Sequence, residues 1–170
     1  MLDAVEMAMN AAMEPIFRVA DADTFEPGLP PDLEELVRAG LVCSGGRLYL
    51  ARPEHKTPPP GHLDAFESEL WMNKVHLDTR TPASDPSWRI ELLRHGLTVA
   101  RRLLPQATTL TQLPVQIVIS LQSAPDALDP ETDFATGAVH LALIRSAHDD
   151  FATGIADFEQ PVLAMTATAR

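Results

Sequence analysis

The chain of 170 residues is 45% apolar and carries a formal net charge of −11, so it can bury a substantial core and is not expected to be disordered. Only 5% of the residues are aromatic, and this scarcity, together with the acidity, argues against nucleic acids and anionic membranes as partners. The single cysteine, Cys43, excludes an intramolecular disulfide, and without a Cys-x-x-Cys motif no zinc–thiolate site is predicted.

The first residues carry early acids and no basic segment, so neither a secretory signal nor a transit peptide is predicted. No apolar run approaches the length of a membrane span. We therefore expect a cytoplasmic protein.

Residues 1–52 are predicted to form a small acidic subdomain of helices and a hairpin. Its elements in chain order are an amphipathic helix at 2–14, an acidic proline-rich loop at 21–31, a helix at 31–39 and a β-hairpin over 41–50. Pro15 is expected to end the first helix, and Gly40 suits the position just past the second. The turn residues Gly45 and Gly46 can take positive φ at the tip of the hairpin.

Most of the acidic excess lies in residues 1–70, which carry a net charge of −8, whereas residues 71–170 carry −3. Five carboxylates of residues 1–52 form a candidate partner-binding surface: Asp21, Asp23, Glu26, Glu34 and Glu35. Such a surface would suit a basic protein, although solubility alone also explains the charge. A calcium loop is not predicted, because the pattern with a central glycine and a terminal glutamate is absent.

A short helix, a glycine and a hairpin also resemble the last part of a winged-helix module. Its recognition helix would span residues 32–38, which hold three acids and one arginine. Phosphates would repel such a helix, so a winged-helix-like regulator would contact protein.

Residues 53–64 are predicted to be a linker, because three consecutive prolines favour an extended spacer. Residues 65–170 then form the main domain. We predict an α+β fold, a mostly antiparallel four-stranded sheet with one long helix on one face in the order β-α-β-β-β. Alternating apolar residues place its strands at about 70–79, 114–122, 137–145 and 161–168.

The long helix is predicted over residues 85–104. Asp85 suits the N-cap, Pro86 the first helical position, and Pro105 should stop the helix. Gly96 is a weak point that would let the sheet approach the helix closely. Arg101 and Arg102 fall in the predicted last turn, where cations complement the helix dipole.

Residues 146–160 are predicted to be a loop with one helical turn. The sequence Asp-Phe-Ala-Thr-Gly occurs twice, at 133–137 and at 150–154. Matching turn chemistry at two loop ends is the simplest explanation for this echo.

The residues with the most chemical potential are His76, Asp78 and His140. His76 and Asp78 lie two apart on one predicted strand and project from one face, and His140 would face the same side from a neighbouring strand. Two histidines and a carboxylate can hold zinc or iron, so a metal-dependent enzyme is one alternative function. Ordinary histidines on a solvated face are the competing interpretation. In addition, an error of one residue in the strand register would turn His140 into the core and break up the cluster.

The sequence contains no phosphate-binding glycine loop, no dinucleotide fingerprint and no Gly-x-Ser-x-Gly turn that would expose a nucleophilic serine. Our leading prediction is a non-enzymatic binding or protein-interaction module of the immunity, chaperone or adaptor type, with no cofactor. The expected partner is a basic protein or a second copy in a homodimer, and neither nucleic acid nor membrane.

Overall fold

The computed structural model describes residues 5–21, 28–51, 64–125 and 133–169. The strands in these ranges are β1 (Glu6–Met9), β2 (Leu41–Ser44), β3 (Arg47–Leu50), β4 (Val75–Asp78), β5 (Val115–Pro125), β6 (Asp133–Leu143) and β7 (Val162–Ala167). The helices are α1 (Glu14–Asp21), α2 (Pro31–Ala39), α3 (Ala65–Met72), α4 (Ser87–Leu110) and α5 (Phe151–Gly154). Short 3₁₀ turns at Ala147–Asp149 and Ile155–Asp157 flank α5.

The main sheet has the strand order β1-β7-β5-β6-β4, and every neighbouring pair is antiparallel. Since β6 lies between β4 and β5, those two strands run in the same direction, and α4 makes the crossover between them. The predicted α+β class with a mostly antiparallel sheet is confirmed. The predicted count of four strands is wrong, because β1 adds a fifth strand at one edge and β2 and β3 form a separate hairpin.

One face of the main sheet carries the principal core. Alternate residues of β5 and β6 point to this face and are buried beneath α4, among them Val115, Ile117, Ile119, Leu121, Val139, Leu141 and Leu143. The buried side of α4 supplies Leu93, Leu97, Ala100 and Leu104, as its helical spacing predicts.

Gly96 lies where α4 comes nearest to the sheet. A Cβ atom at this position would stand 2.9 Å from Cγ2 of Ile119 and 3.3 Å from Cδ1 of Leu77. The predicted close approach is therefore present, and side chains of β5 and β4 occupy the space that a larger residue would need.

The beginning of the chain folds differently from the prediction. Residues 6–9 form strand β1, which pairs with β7, where an amphipathic helix was expected. The helix starts later, at Glu14, and Pro15 is its second residue, where a missing N–H costs nothing. Met9 and Met13 contribute to the core, but they do so from a strand and a turn and not from one face of a helix.

The described part of residues 1–52 packs against the rest of the chain: β1 joins the main sheet, and α1, α2 and β2 contact α4. Met13, Leu33, Val37 and Leu48 belong to the same buried cluster as the residues beneath α4. Helix α2 and the hairpin have the predicted bounds to within one residue. The predicted linker at 53–64 lies outside the described residues except for Asp64, so the domain boundaries stay a prediction.

The strand predicted at residues 70–79 begins only at Val75, because residues 65–72 form α3. Asp64 caps this helix, its side chain accepting from the backbone N–H of Glu67 at 2.8 Å while the Glu67 carboxylate accepts from the Asp64 N–H. This capping box starts a helix that continues to Met72, so residues 70–72 are not part of the sheet.

Helix α4 starts two residues later and ends six residues later than predicted, at Ser87 and Leu110. Pro86 takes the N-cap position, and Asp85 still contributes by accepting from the Ser87 N–H at 2.9 Å. Pro105 lies inside the helix, whose buried residues continue to Ala107. Arg101 and Arg102 are therefore not in the last turn.

Candidate functional site

The second face of the sheet carries a groove of about 490 Å³. Its floor is formed by outward-facing residues of three neighbouring strands, Val118 and Ser120 of β5, His140 of β6 and Val162 of β7. Leu70 and Trp71 of α3, with Glu67 and Lys74, form one wall, and Phe151, Phe158 and Gln160 form the other. The volume lies within the range that small-molecule sites usually occupy.

Glu69 fixes the α3 wall from beneath. This carboxylate is fully buried and accepts from both Nη atoms of Arg145, at 2.8 and 2.7 Å. It also accepts from the backbone N–H groups of Leu48 and Leu143, at 2.8 and 3.0 Å. Because its hydrogen bonds with Glu69 favour the charged guanidinium, the pKa of Arg145 is raised.

Asn73, one helical turn after Glu69, makes the second set of bonds. Its side-chain oxygen accepts from the Leu50 N–H at 2.9 Å, and its amide nitrogen donates to the carbonyls of Leu48 and Leu141, at 2.7 and 3.0 Å. Glu69 and Asn73 therefore bridge β3 to β6 beyond the end of β4, and a rigid helix results along one side of the groove.

The opposite wall is held by two other buried amides. Gln116 donates to Asp150 at 2.9 Å and accepts from the Phe151 N–H at 3.0 Å. Asn10 donates to the carbonyls of Phe158 and Gln160, at 3.0 and 2.7 Å. Both amides are at least 95% buried, so the segment that carries the wall is tied to the sheet at two points.

Three phenylalanine rings connect the walls. The ring centroids of Phe66 and Phe151 lie 5.9 Å apart, and those of Phe151 and Phe158 lie 6.0 Å apart. Phe151 and Phe158 also line a second depression of about 420 Å³, so the two rings border both cavities.

His140 is the central polar group of the groove. Its Nδ1 atom lies 3.2 Å from the carbonyl oxygen of Leu70. Burial lowers the pKa of His140, and the positive charges of Lys74 and His76 lower it further, against the opposing effect of the Leu70 bond. The imidazole is therefore neutral at neutral pH.

The predicted metal ligands do share this face of the sheet. His76 is paired with Ala138, Asp78 with Thr136 and His140 with Val118, so all three alternate onto the side opposite α4. The described ranges nevertheless contain no group of three or more His, Cys, Asp or Glu residues that could hold a metal ion. His76 and Asp78 are exposed on the edge strand β4, whereas His140 lies inside the groove.

The predicted partner-binding carboxylates are partly engaged within the fold. Asp21 pairs with Arg101 at 3.2 Å, and Glu34 pairs with Arg102 at 2.7 Å. Glu35 is exposed, while Asp23 and Glu26 lie outside the described residues. A basic protein partner stays a prediction.

Several residues that build the groove were not singled out from the sequence. Glu69, Asn73 and Gln116 were assigned to no role, although the spacing Asp64-x-x-Glu67 is a capping signal that would have placed the first two on a helix. The helical spacing of Phe151, Ile155 and Phe158 was visible, but only the sheet order shows which strands they cover.

Comparisons with protein-family models, with curated proteins and with solved structures found no match for this chain. None of the helices in the described ranges combines the length and the apolar character needed to cross a membrane.

Proposed function

We propose that this protein is a non-catalytic binding module that holds a small, mainly apolar molecule in the groove on the second sheet face. The observation that carries this proposal is that both walls of the groove are fixed before any ligand arrives. Glu69 and Asn73 hold one wall, and Gln116 and Asn10 hold the other. A preformed site loses little conformational freedom on binding, which favours affinity.

The lining supports an apolar ligand. The walls present Leu70, Trp71, Phe151 and Phe158, and on the floor only Ser120 and His140 are polar. The polar residues of the walls are Glu67, Lys74 and Gln160. Trp71 lines the groove and is 42% exposed, although tryptophan side chains are highly buried on average. Burial of a ligand's apolar surface against these side chains would supply most of the binding free energy.

The direct test is titration with Nile red, a neutral dye that fluoresces in apolar surroundings, using the wild type and a variant with a filled groove. Ser120→Phe places a ring on the groove floor, where Ser120 is only partly buried, so the fold should tolerate the change. We expect saturable binding of one dye per wild-type chain and a loss of at least about tenfold in affinity in Ser120→Phe.

Gln122→Phe is the matched control, since Gln122 lies two residues further along β5 on the same face but outside the groove. This variant should bind the dye like the wild type. No saturable binding to the wild type, or equal binding to Ser120→Phe with an unchanged melting temperature, would refute the proposal.

A further inference from the structure

We propose that the ligand of the groove is a free, flat phenol whose hydroxyl group donates a hydrogen bond to Nε2 of His140. This inference rests on the proposed function and adds the chemical class of the ligand. It follows from the tautomer of His140, from the state of its second nitrogen and from the shape of the walls.

The tautomer is set by Leu70. A backbone carbonyl can only accept a hydrogen bond, so the Nδ1 atom 3.2 Å from the Leu70 oxygen must carry the proton. In a neutral imidazole the other nitrogen, Nε2, then presents a lone pair. Since Leu70 belongs to the fixed helix α3, the orientation of the ring is fixed with it.

The Nε2 atom is accessible to a ligand. In the described part of the chain, Nε2 has no hydrogen-bond partner. The buried side-chain atoms without partners there are Trp88 Nε1 and His95 Nδ1. Since Nε2 of His140 is not one of them, it keeps some exposed surface. His140 is part of the groove lining, so its unpartnered acceptor is reached from the groove. A mainly apolar site with an unpaired acceptor on its floor favours a ligand that brings a donor, because binding would otherwise leave the acceptor dry and unpaired.

The walls favour an aromatic body for this ligand. Trp71, Phe151 and Phe158 all line the groove, and aromatic groups prefer offset or edge-to-face contacts with such rings. A carboxylate is disfavoured at His140 because its oxygens would meet the Nε2 lone pair, while the opposite charges of Glu67 and Lys74 in the wall offset each other. A neutral aromatic hydroxyl compound satisfies both the walls and the acceptor.

The charged groups around His140 predict how binding depends on pH. They are Glu67 of α3, Lys74 of the following turn and His76 of β4, whereas the opposite wall contributes the uncharged Phe151, Phe158 and Gln160. Burial and the neighbouring cations hold the pKa of His140 below its ordinary value of 6.5. Phenol binding should therefore be constant at neutral pH and weaken only as the pH falls well below 6.5, when Nε2 gains a proton and becomes a donor.

The test compares three probes of one shape by titration calorimetry on the full chain: a naphthol, its methyl ether and the corresponding naphthoate. At neutral pH we expect the naphthol to bind about tenfold more tightly than the ether, since only the naphthol donates a hydrogen bond. This preference should disappear in His140→Phe and, in the wild type, on acidification. The acid arm does not depend on the variant being folded.

The outcomes separate the two proposals. Equal binding of naphthol and ether, with both lost in Ser120→Phe, would keep the groove as a binding site and overturn the phenol. Tighter binding of the naphthoate would also overturn it. If none of the three probes binds, the phenol is refuted, and Nile red decides separately whether the groove binds apolar molecules at all.

Discussion

Gly96 shows how a single missing side chain determines the distance between the long helix and the sheet. Alanine has the higher helix propensity by about 1 kcal/mol, so propensity alone predicts that Gly96→Ala stabilises the protein. The structure predicts the reverse, because the new Cβ atom would stand 2.9 Å from Ile119 Cγ2 and 3.1 Å from its Cδ1. Both atoms belong to a fully buried side chain with no room to move.

We therefore expect Gly96→Ala to lower the free energy of unfolding by about 1–3 kcal/mol in urea denaturation. Gly28→Ala is the control, since nothing lies within 4 Å of the added Cβ there and the glycine does not have a positive φ. That variant should change stability by less than about 0.5 kcal/mol. A stabilising Gly96→Ala would mean that α4 does not press on the sheet as described.

His140 illustrates what alternation along a strand can and cannot predict. The period of two residues correctly placed it on the face opposite α4, together with His76 and Asp78. Alternation does not show which elements cover that face. His140 is partly buried and hydrogen-bonded to α3, whereas His76 and Asp78 are exposed on the edge strand. The three predicted ligands therefore lie in two different environments.

Helix α3 depends on one buried charge. Glu69 receives four hydrogen bonds from Arg145, Leu48 and Leu143, and its side chain has no exposed surface. Glu69→Gln would replace one carboxylate oxygen by an amide NH2 group that faces two of these donors, and it would remove the carboxylate charge that is hydrogen-bonded to Arg145. We expect it to lower the free energy of unfolding by about 2–4 kcal/mol, measured by urea denaturation.

Glu34→Gln provides a matched comparison. The distance from Glu34 to Arg102 is 2.7 Å, the same as the shorter Glu69–Arg145 contact, but the two side chains are 43% and 38% exposed. Solvent weakens such a pair, so the loss should be at most about 1 kcal/mol. Equal effects of the two substitutions would show that Glu69 does not clamp α3 to β3 and β6.

The repeated sequence Asp-Phe-Ala-Thr-Gly shows how strongly context decides local structure. At 133–137 it begins strand β6, whereas at 150–154 the aspartate caps α5 and the other four residues form that helix. The expected common turn is therefore wrong. In the first copy, pairing with β5 and β4 selects the strand, and in the second, Asp150 accepts from the Ala152 N–H and starts a helix.

The same distinction separates the elements that the sequence predicts from those that it does not. The hairpin, α2, β5 and β7 carry strong local signals, and their positions were predicted closely. Strand β1 and helix α3 are short, and their form depends on partners that are distant in the chain, β7 for β1 and β3 and β6 for α3. Pro105 was expected to end α4, but burial of Leu103, Leu104 and Ala107 carries the helix past it.

Some of the acidic side chains of the molecule form ion pairs with arginines of the same chain. Arg101 and Arg102 of α4 pair with Asp21 of α1 and Glu34 of α2, which attaches the acidic N-terminal helices to the long helix. Part of the net charge of −11 is therefore not available to a basic partner. The ion pairs weaken the case for the acidic surface as a binding site, and the groove on the opposite side of the sheet is the stronger candidate.

The groove on that side could not be predicted from the sequence, because its walls come from regions 75 or more residues apart. The α3 wall was assigned to a strand, and the 146–160 wall was expected to be a loop with one helical turn. Their relation depends on the sheet order and on Glu69, Asn73, Gln116 and Asn10, whose partners are mostly distant in sequence. We propose that this preformed groove is the binding site of the protein.

The most direct measurement is the change in backbone amide chemical shifts of isotope-labelled protein as Nile red is added. We expect the largest shifts at Val118, Ser120, His140 and Phe151, with the amides of Ala100 and Leu104 in α4 unchanged on the other face of the sheet. Shifts concentrated near His95, beside the depression between α1 and α4, or no saturable shifts at all, would show that the groove is not the binding site.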